Sequence, residues 1–411
     1  MIKADRFLAF SFLVGAGLRA FRLGAESLWL DEASTARRAG LTYADLFFDT
    51  GSGSQLPLYF WISKAWSSLA GTGEASLRFP ALVFGVLLVP LVFLLGRELF
   101  GEKAARWGAF FTAINPVLVH YSQDARPYSL FALLVVASWF FLIRWVRSGK
   151  VGHFLGWCLL TVGVLYTHPL GVLVLVSHLA GFFVFRRGTG AAGATGATGV
   201  TGANPGFKLL LGGMFLACLP YFPLLFRMVD QIGLKMVGES VASWIDTPSL
   251  YDLLFTPVWY FTRRLLAGLV ALLILLALVI RPRPSLKARW ALLFLASVWF
   301  TFSLVPWVAS FLVTPVYVFR YTLPVLPALL ILLGWAVTRL GPAVRGIAVT
   351  LLLAGSMGLL YDFHTSLDKP PWREAGQWLM EKSRPGDLVV WDPGFLQPLS
   401  DYYFSPGEGV D

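Results

Sequence analysis

The chain has 411 residues, 57% of them hydrophobic and 14% charged, with a mean hydropathy of +0.69 and a formal net charge of +10. Soluble domains carry roughly a quarter charged residues, so this composition excludes a soluble globular enzyme and points to a chain built for a bilayer. The basic residues stand at the ends of apolar blocks, which assigns them to the positive-inside rule and leaves no reason to expect a nucleic-acid partner.

From the N-terminus, Lys3 and Arg6 precede an apolar run from Phe7 to Leu18. Arg19 and Arg22 follow it with no small-x-small cleavage site, so the run reads as a retained first span rather than a signal peptide. Apolar runs of span length are predicted at 5–23, 79–97, 104–121, 128–146, 152–168, 170–186, 207–226, 264–281, 290–311, 320–339 and 344–361. A shorter run, Leu56 to Leu69, carries Lys64 in its middle. If it does not cross, every short loop on the N-terminal side of the membrane is basic. If it crossed, all later basic clusters would change sides. It is therefore read as a helix lying in the interface, giving eleven spans with the N-terminus cytoplasmic and the C-terminus outside.

This topology places a loop at 24–78, a turn at 121–127, a loop at 227–263 and the tail from 362 on the outer face. Residues 187–206 are Gly, Ala and Thr repeats and read as a cytoplasmic linker. In the tail, Trp372 to Lys382 has helical spacing, Pro385-Gly386-Asp387 is a turn and Leu388 to Trp391 is strand-like. That 362–411 segment is too short to bury a core of its own, so it packs on the membrane part or the sequence is cut short. The expected fold class is an all-α polytopic membrane protein of about eleven transmembrane helices over 1–361, with interfacial helices in the first outer loop and a short α/β tail.

Ionisable groups at the outer face are the first candidates for chemistry, because holding them at a membrane is costly. Trp29-Leu30-Asp31-Glu32 puts two carboxylates just past the first span, ahead of a helical stretch from Ala33 to Phe48. Asp31 fits either a helix cap or a general base that takes a proton from an acceptor hydroxyl. Asp124 and Arg126, in Ser122-Gln123-Asp124-Ala125-Arg126-Pro127-Tyr128, form either a local surface pair or a second part of the same site. Arg320, with Tyr321, and Arg126 are the preferred phosphate ligands, since the guanidinium fork suits phosphate; Lys64 and the Arg263-Arg264 pair are further options. His168 stands alone in Thr167-His168-Pro169 and has no second ligand at metal spacing. Cys158 and Cys218 lie inside apolar blocks, so neither a disulfide framework nor a metal site is expected. Tyr59, Tyr128, His168 and Trp259 are candidates for lining a substrate cavity. The loop with Trp244, Asp246, Tyr251, Trp259 and Tyr260 either covers such a cavity or forms an aromatic belt.

In order along the chain, Trp29-Leu30-Asp31-Glu32, Pro57-Leu58-Tyr59-Phe60-Trp61, Arg78 through Arg106, Asp124-Ala125-Arg126-Pro127-Tyr128, Thr167-His168, Arg320-Tyr321 with Pro324 and Pro327, and Trp372-Arg373 before Pro385-Gly386-Asp387 resemble the bacterial relatives of protein O-mannosyltransferase and aminoarabinose transferase. These share the membrane fold called GT-C. The resemblance implies that Asp31, with Glu32 beside it, activates the acceptor, that Asp124 is a supporting acid, and that 56–69 is an interfacial helix. It further implies a polyprenyl-phosphate-linked sugar as donor, a lipid, glycan or protein acceptor, and a site on the outer side of a bacterial inner membrane. One departure is Gln55-Leu56-Pro57, where many relatives carry a basic residue and two prolines; Lys64 or Arg126 would have to supply the missing charge.

The expected reaction is a single displacement with inversion, the departing polyprenyl phosphate being stabilised by arginine. No cofactor is expected; a divalent metal is compatible with the scheme but not indicated. A polymerase or ligase working on lipid diphosphates shares these features. A lipid or sugar transporter would instead place charges and broken helices at mid-membrane; span interiors here are nearly charge-free, although Pro306 interrupts the ninth.

Overall fold

The computed structural model describes residues 5–48, 55–193, 206–224, 245–280, 282–366, 369–384, 387–390, 392 and 394–404. Most of the predicted linker, and the first part of the 227–263 loop including Trp244, lie outside these residues, as do Pro385, Gly386 and Trp391.

The helices are α1 (Arg6–Ala20), α2 (Leu30–Ala39), α3 (Tyr43–Phe48), α4 (Pro57–Ala70), α5 (Glu74–Phe100), α6 (Glu102–Ile114), α7 (Pro116–Ser122), α8 (Tyr128–Ser148), α9 (Val151–Leu165), α10 (Val174–Gly193), α11 (Phe207–Cys218), α12 (Leu250–Tyr260), α13 (Arg264–Val279), α14 (Leu286–Trp299), α15 (Val305–Leu312), α16 (Val325–Arg339), α17 (Pro342–Ser366), α18 (Trp372–Lys382) and α19 (Gln397–Tyr403). No strand occurs among the described residues. The chain is a multi-pass membrane protein. Among the described residues, five stretches are long and apolar enough to cross a bilayer: α5, α8, Pro169–Arg187, Leu286–Leu312 and α17. The α12–α13 pair, bent by 88°, makes a sixth if it counts as one span. The eleven predicted runs fall on helix wherever they lie within the described residues, the run at 207–226 being described to 224, but several of those helices are short or broken, so helix length does not itself yield eleven crossings. At 14 residues, α4 reaches only about 21 Å, short of a hydrocarbon core of about 30 Å.

Four departures from the sequence expectations have local causes. The stretch from Ala33 to Phe48 is two helices, because α2 ends at Gly40 and Thr42 restarts the chain by exchanging hydrogen bonds with Asp45. The run at 104–121 is broken at Asn115, which is extended and caps α7 by accepting from the Leu118 N–H. The run through Pro306 stays continuous: a wide π-turn at Phe300–Leu304 opens the ladder just where the ring would collide with it. In the tail, Leu388 and Val390 are exposed and unpaired with any strand, so the expected β element is absent among the described residues. A lone four-residue segment has no neighbour to satisfy its backbone groups.

The break at Asn115 explains Arg19. Pro116 has no N–H for the Thr112 carbonyl, and the extended Asn115 leaves the Ala113 carbonyl free as well. Arg19 is fully buried and donates to both, at 3.0 and 2.9 Å, and to Ser122 Oγ at 3.1 Å. A cation at this helix C-terminus also complements the α6 dipole. Gly85 of α5 makes room for the arrangement: a Cβ there would sit 1.9 Å from Ser122 Oγ and 3.1 Å from Arg19 Nε. Gly334 does the same where α16 crosses α6, a Cβ falling 2.5 Å from Ala104 O. Gly85→Ala is expected to cost about 1–3 kcal/mol through overpacking and to lower the thermal midpoint in detergent. Gly17→Ala, whose Cβ would meet open space, is the control; equal midpoints for the two variants would refute this reading of Gly85.

The core is formed by α5, α6, α8 and α16, with α1 packed on α5 and α6. At one end of this bundle the α1–α2 connection, α4, the α7–α8 turn and the tail converge. That end carries Asp31, Glu32 and Asp124.

Candidate active site

Helix α2 positions the first acids. Its N-cap is Trp29, and Glu32 reaches back to the Trp29 N–H at 3.4 Å. Asp31 is therefore not the cap. Its side chain is 29% exposed, whereas that of Glu32 is fully buried. The Glu32 carboxylate is enclosed: Arg78 donates Nε and Nη2 at 2.8 Å each, Lys369 Nζ stands at 2.8 Å, and the Ala125 N–H donates at 3.0 Å. Burial alone would raise its pKa, but Arg78 and Lys369 outweigh that and hold it well below the usual carboxylate range, at about 2.

The α7–α8 turn brings the second acid and the arginine. Asp124 is buried and accepts from Trp29 Nε1 at 2.9 Å. Burial, followed by repulsion from Glu32, pushes its carboxyl up to about 6. Arg126 is also buried; its Nη1 donates to the Asp31 carbonyl at 3.2 Å and its Nη2 lies 3.8 Å from Asp31 Oδ2. Its Nε has no hydrogen-bond partner among the described residues. Asp124 and Arg126 thus reach separate partners on the first loop instead of pairing side chain to side chain at the surface, and Asp124 does not cap α8.

Around them stand aromatic groups. Tyr128 stacks on Tyr321 at 6.4 Å between centroids, and His168 meets Tyr321 edge-on at 4.7 Å and Phe131 at 4.8 Å. Arg320, in the 3₁₀ turn Phe319–Thr322, lies within electrostatic reach of Asp31, Tyr121 and Tyr128. Tyr59 is fully buried, and its hydroxyl, unpaired among the described residues, faces the fields of Asp124 and Arg126. The structure thus brings together Asp31, Glu32, Asp124, Arg126, Tyr59, Tyr128, His168, Arg320 and Tyr321.

Lys64 stands apart. It donates to the Ala39 carbonyl at 3.2 Å, at the far end of α2, about 12 Å along the axis from Asp31. Arg263 pairs with Asp362 at 3.5 Å at the surface, and Arg264 lies over Phe255. Trp259 lines a cavity of about 380 Å³ with His120, Tyr121, Thr262 and Asp362. Tyr121 also lines that cavity, and its ring packs on Tyr128. Sequence reasoning missed Arg78 and Lys369 as parts of the cluster and assigned Trp29 only to the interface. The single usable signal was Arg78 itself, a charge at a span end.

With this geometry in view, comparison with known proteins is informative. The family model described as dolichyl-phosphate-mannose-protein mannosyltransferase matches residues 54–193, which include Tyr59, Asp124, Arg126, Tyr128 and His168 but not Asp31 or Arg320. No curated protein matches by sequence. Among solved structures, the chain is similar to ArnT from Cupriavidus metallidurans bound to undecaprenyl phosphate, with TM-score 0.64 and 16% identity over 98% of this chain and 86% of that one. It is similar to apo ArnT from the same organism, with TM-score 0.60 and 15% identity over 98% and 88%. It is also similar to the archaeal oligosaccharyltransferase AglB from Archaeoglobus fulgidus in complex with an inhibitory peptide and a dolichol-phosphate, with TM-score 0.56 and 13% identity over 98% of this chain and 60% of that one. The chain has the GT-C fold of these membrane glycosyltransferases.

Proposed function

We propose that this protein transfers a sugar from a polyprenyl-phosphate donor to an acceptor hydroxyl at the outer face of a bacterial inner membrane, by single displacement with inversion. The observation that carries the reading is the placement of a partly exposed Asp31 beside a buried Arg126, with Arg320 and Tyr321 closing the same end of the bundle. Asp31 takes the acceptor proton as the acceptor oxygen bonds to the anomeric carbon. The bond from that carbon to the phosphate oxygen breaks, and polyprenyl phosphate leaves with both electrons. Arg126, through its unpaired Nε, and Arg320 stabilise the charge that collects on the phosphate. These cations supply what the leaving group requires, so the scheme calls on no metal. Asp124 and Glu32 do not meet the substrate in this scheme: Glu32 is enclosed, and Asp124 fixes Trp29 ahead of Asp31.

The lipids named with the ArnT and AglB structures support the donor class. An apolar groove of about 520 Å³, lined by Leu58, Trp61, Leu134, Leu159 and Tyr166, offers the polyprenyl chain a place to lie. The proposed topology has eleven crossings, a cytoplasmic N-terminus, a 187–206 linker inside and a 362–411 tail outside. The acceptor is a lipid, glycan or protein hydroxyl.

Mass spectrometry of lipids co-purifying with the protein tests the donor. A polyprenyl monophosphate, bare or glycosylated, is expected. Oligosaccharides on polyprenyl diphosphate alone would favour a polymerase or ligase, and absence of saturable binding to added undecaprenyl phosphate would overturn the reading. Arg320→Ala is expected to weaken undecaprenyl phosphate binding about 10–100-fold, the equivalent of one charge-assisted hydrogen bond. Unchanged affinity would remove Arg320 from the phosphate site.

A further inference from the structure

We infer that Lys369, carried by the C-terminal segment, is a positioning residue for the acid cluster, and that the site is complete only when this segment is docked on the membrane body. The inference rests on the functional reading of Asp31 and Asp124 above, but its geometry stands by itself.

Three carboxylates meet at this end of the bundle, Asp31, Glu32 and Asp124, with the cations Arg78, Arg126 and Lys369, and with Arg320 in electrostatic reach of Asp31. Of these seven, Lys369 and Arg320 alone lie beyond the first 126 residues. Lys369 arrives from beyond the last long helix, 337 positions from Glu32, and with Arg78 is one of the two cations that meet the Glu32 carboxylate. Its side chain is 14% exposed, and it meets a Glu32 side chain that is not exposed at all. Without it the buried Glu32 and Asp124 lose one compensating positive charge, and a low-dielectric cluster relieves such a loss by taking up a proton. Arg78 cannot compensate, because its five donor contacts are already spent on Glu32 and on the Leu23, Glu26 and Ser27 carbonyls.

The segment is seated by further contacts that frame Lys369. The Lys369 N–H donates to Glu26 at 3.0 Å, Arg373 Nε donates to Glu74 at 2.9 Å, the Leu28 N–H donates to the Tyr403 hydroxyl at 2.5 Å, and the Tyr402 hydroxyl donates to the Thr72 carbonyl at 2.7 Å. Each contact lands on the connections flanking α2 and α4, which position Asp31. Docking the tail and building the site are one event.

Asp124 is the group that reports a missing charge. It is faced by Trp29 and Glu32 from the first loop, Tyr59 from α4, Arg78 from α5, Tyr121 from α7, Arg126 from its own turn and Lys369 from the tail. Its folded-state pKa, about 6, lies above the unfolded value of about 3.9. Its contribution to stability is therefore lost as pH rises between those two values and is constant above them. Glu32 has the opposite sign, but its window closes by about pH 4.5; the histidines, which also titrate below about pH 6.5, are common to every protein compared, so Asp124 is read from the difference between each protein and its Asp124→Asn counterpart.

The test is the pH dependence of the thermal midpoint of the full chain in detergent at a fixed scan rate. The midpoint difference between the wild type and Asp124→Asn should stop falling near pH 6. In Lys369→Met the inflection should move up by about one pH unit, and Lys369→Arg should restore it. If Lys369→Met does not fold, the double variant Glu32→Gln/Lys369→Met removes one charge of each sign and should return an inflection near that of the wild type. An unchanged inflection in Lys369→Met, an equal displacement in Lys369→Arg, or a displaced inflection in the double variant would each overturn the inference. Wild-type binding of undecaprenyl phosphate, measured alongside, separates this outcome from failure of the functional reading: loss of binding with the expected inflections sinks only the latter.

Discussion

Asp31→Asn is expected to reduce sugar transfer about 100–10,000-fold, the range that a positioned general base supplies, while leaving the protein inserted and of normal abundance. The asymmetry between Asp31 and its neighbour explains why both halves of that result are expected. Asp31 spends its backbone carbonyl, not its carboxylate, on the hydrogen bond to Arg126, and the carboxylate stays partly exposed with a loose 3.8 Å approach to the same guanidinium. Asparagine preserves the shape and the backbone contact and removes only the ability to accept a proton. Transfer measured in membrane vesicles with a polyprenyl-phosphate sugar, beside quantitation of the inserted protein, checks the prediction. Full activity in that variant would remove Asp31 from the mechanism and with it the acceptor side of the scheme.

Much of this arrangement was legible from residue order. Within the described residues the predicted apolar runs fell on helix because membrane burial forces long apolar stretches, and counting basic clusters sufficed to put Asp31 and Asp124 at one end. What stayed hidden has a common physical character. Asp124 and Arg126 look like a local pair at two-residue spacing, yet each side chain reaches a partner more than ninety positions away. Arg19 looks like a flanking charge of the first span and is instead fully buried against carbonyls freed at Asn115. Lys64 sits near the right motif but on the wrong end of α2. Long-range satisfaction of buried charges leaves no periodicity to read, because it depends on which surfaces meet after the helices have packed. The tail was legible as a helix at Trp372–Lys382 but misread as a strand beyond it, since an apolar run of four residues makes a strand only when a neighbour exists to pair with it.

Arg78→Met should be the most destabilising single change at this end of the molecule, at about 3–5 kcal/mol, a large part of the roughly 5–15 kcal/mol that holds a typical domain together. The substitution strands Glu32, whose carboxylate has no exposure and would retain only Lys369 as a counter-charge. It also frees three carbonyls, of Leu23, Glu26 and Ser27, that Arg78 holds at 2.9–3.0 Å. Those carbonyls belong to the connection that delivers Trp29 and Asp31, so whatever folded protein remains should also place its base poorly. Lysine is no substitute. Arg78 grips both Glu32 oxygens and three carbonyls at once with a planar fork, a geometry a single ammonium cannot reproduce, so Arg78→Lys should fall well short of the wild-type thermal midpoint. Removing the charge on both sides, in Glu32→Gln/Arg78→Met, should recover part of the loss, because the dominant cost is an unpaired buried charge rather than the absence of the pair. Thermal midpoints of the four proteins in one detergent test this, and a double variant less stable than Arg78→Met would show that the cluster is held by something other than charge compensation.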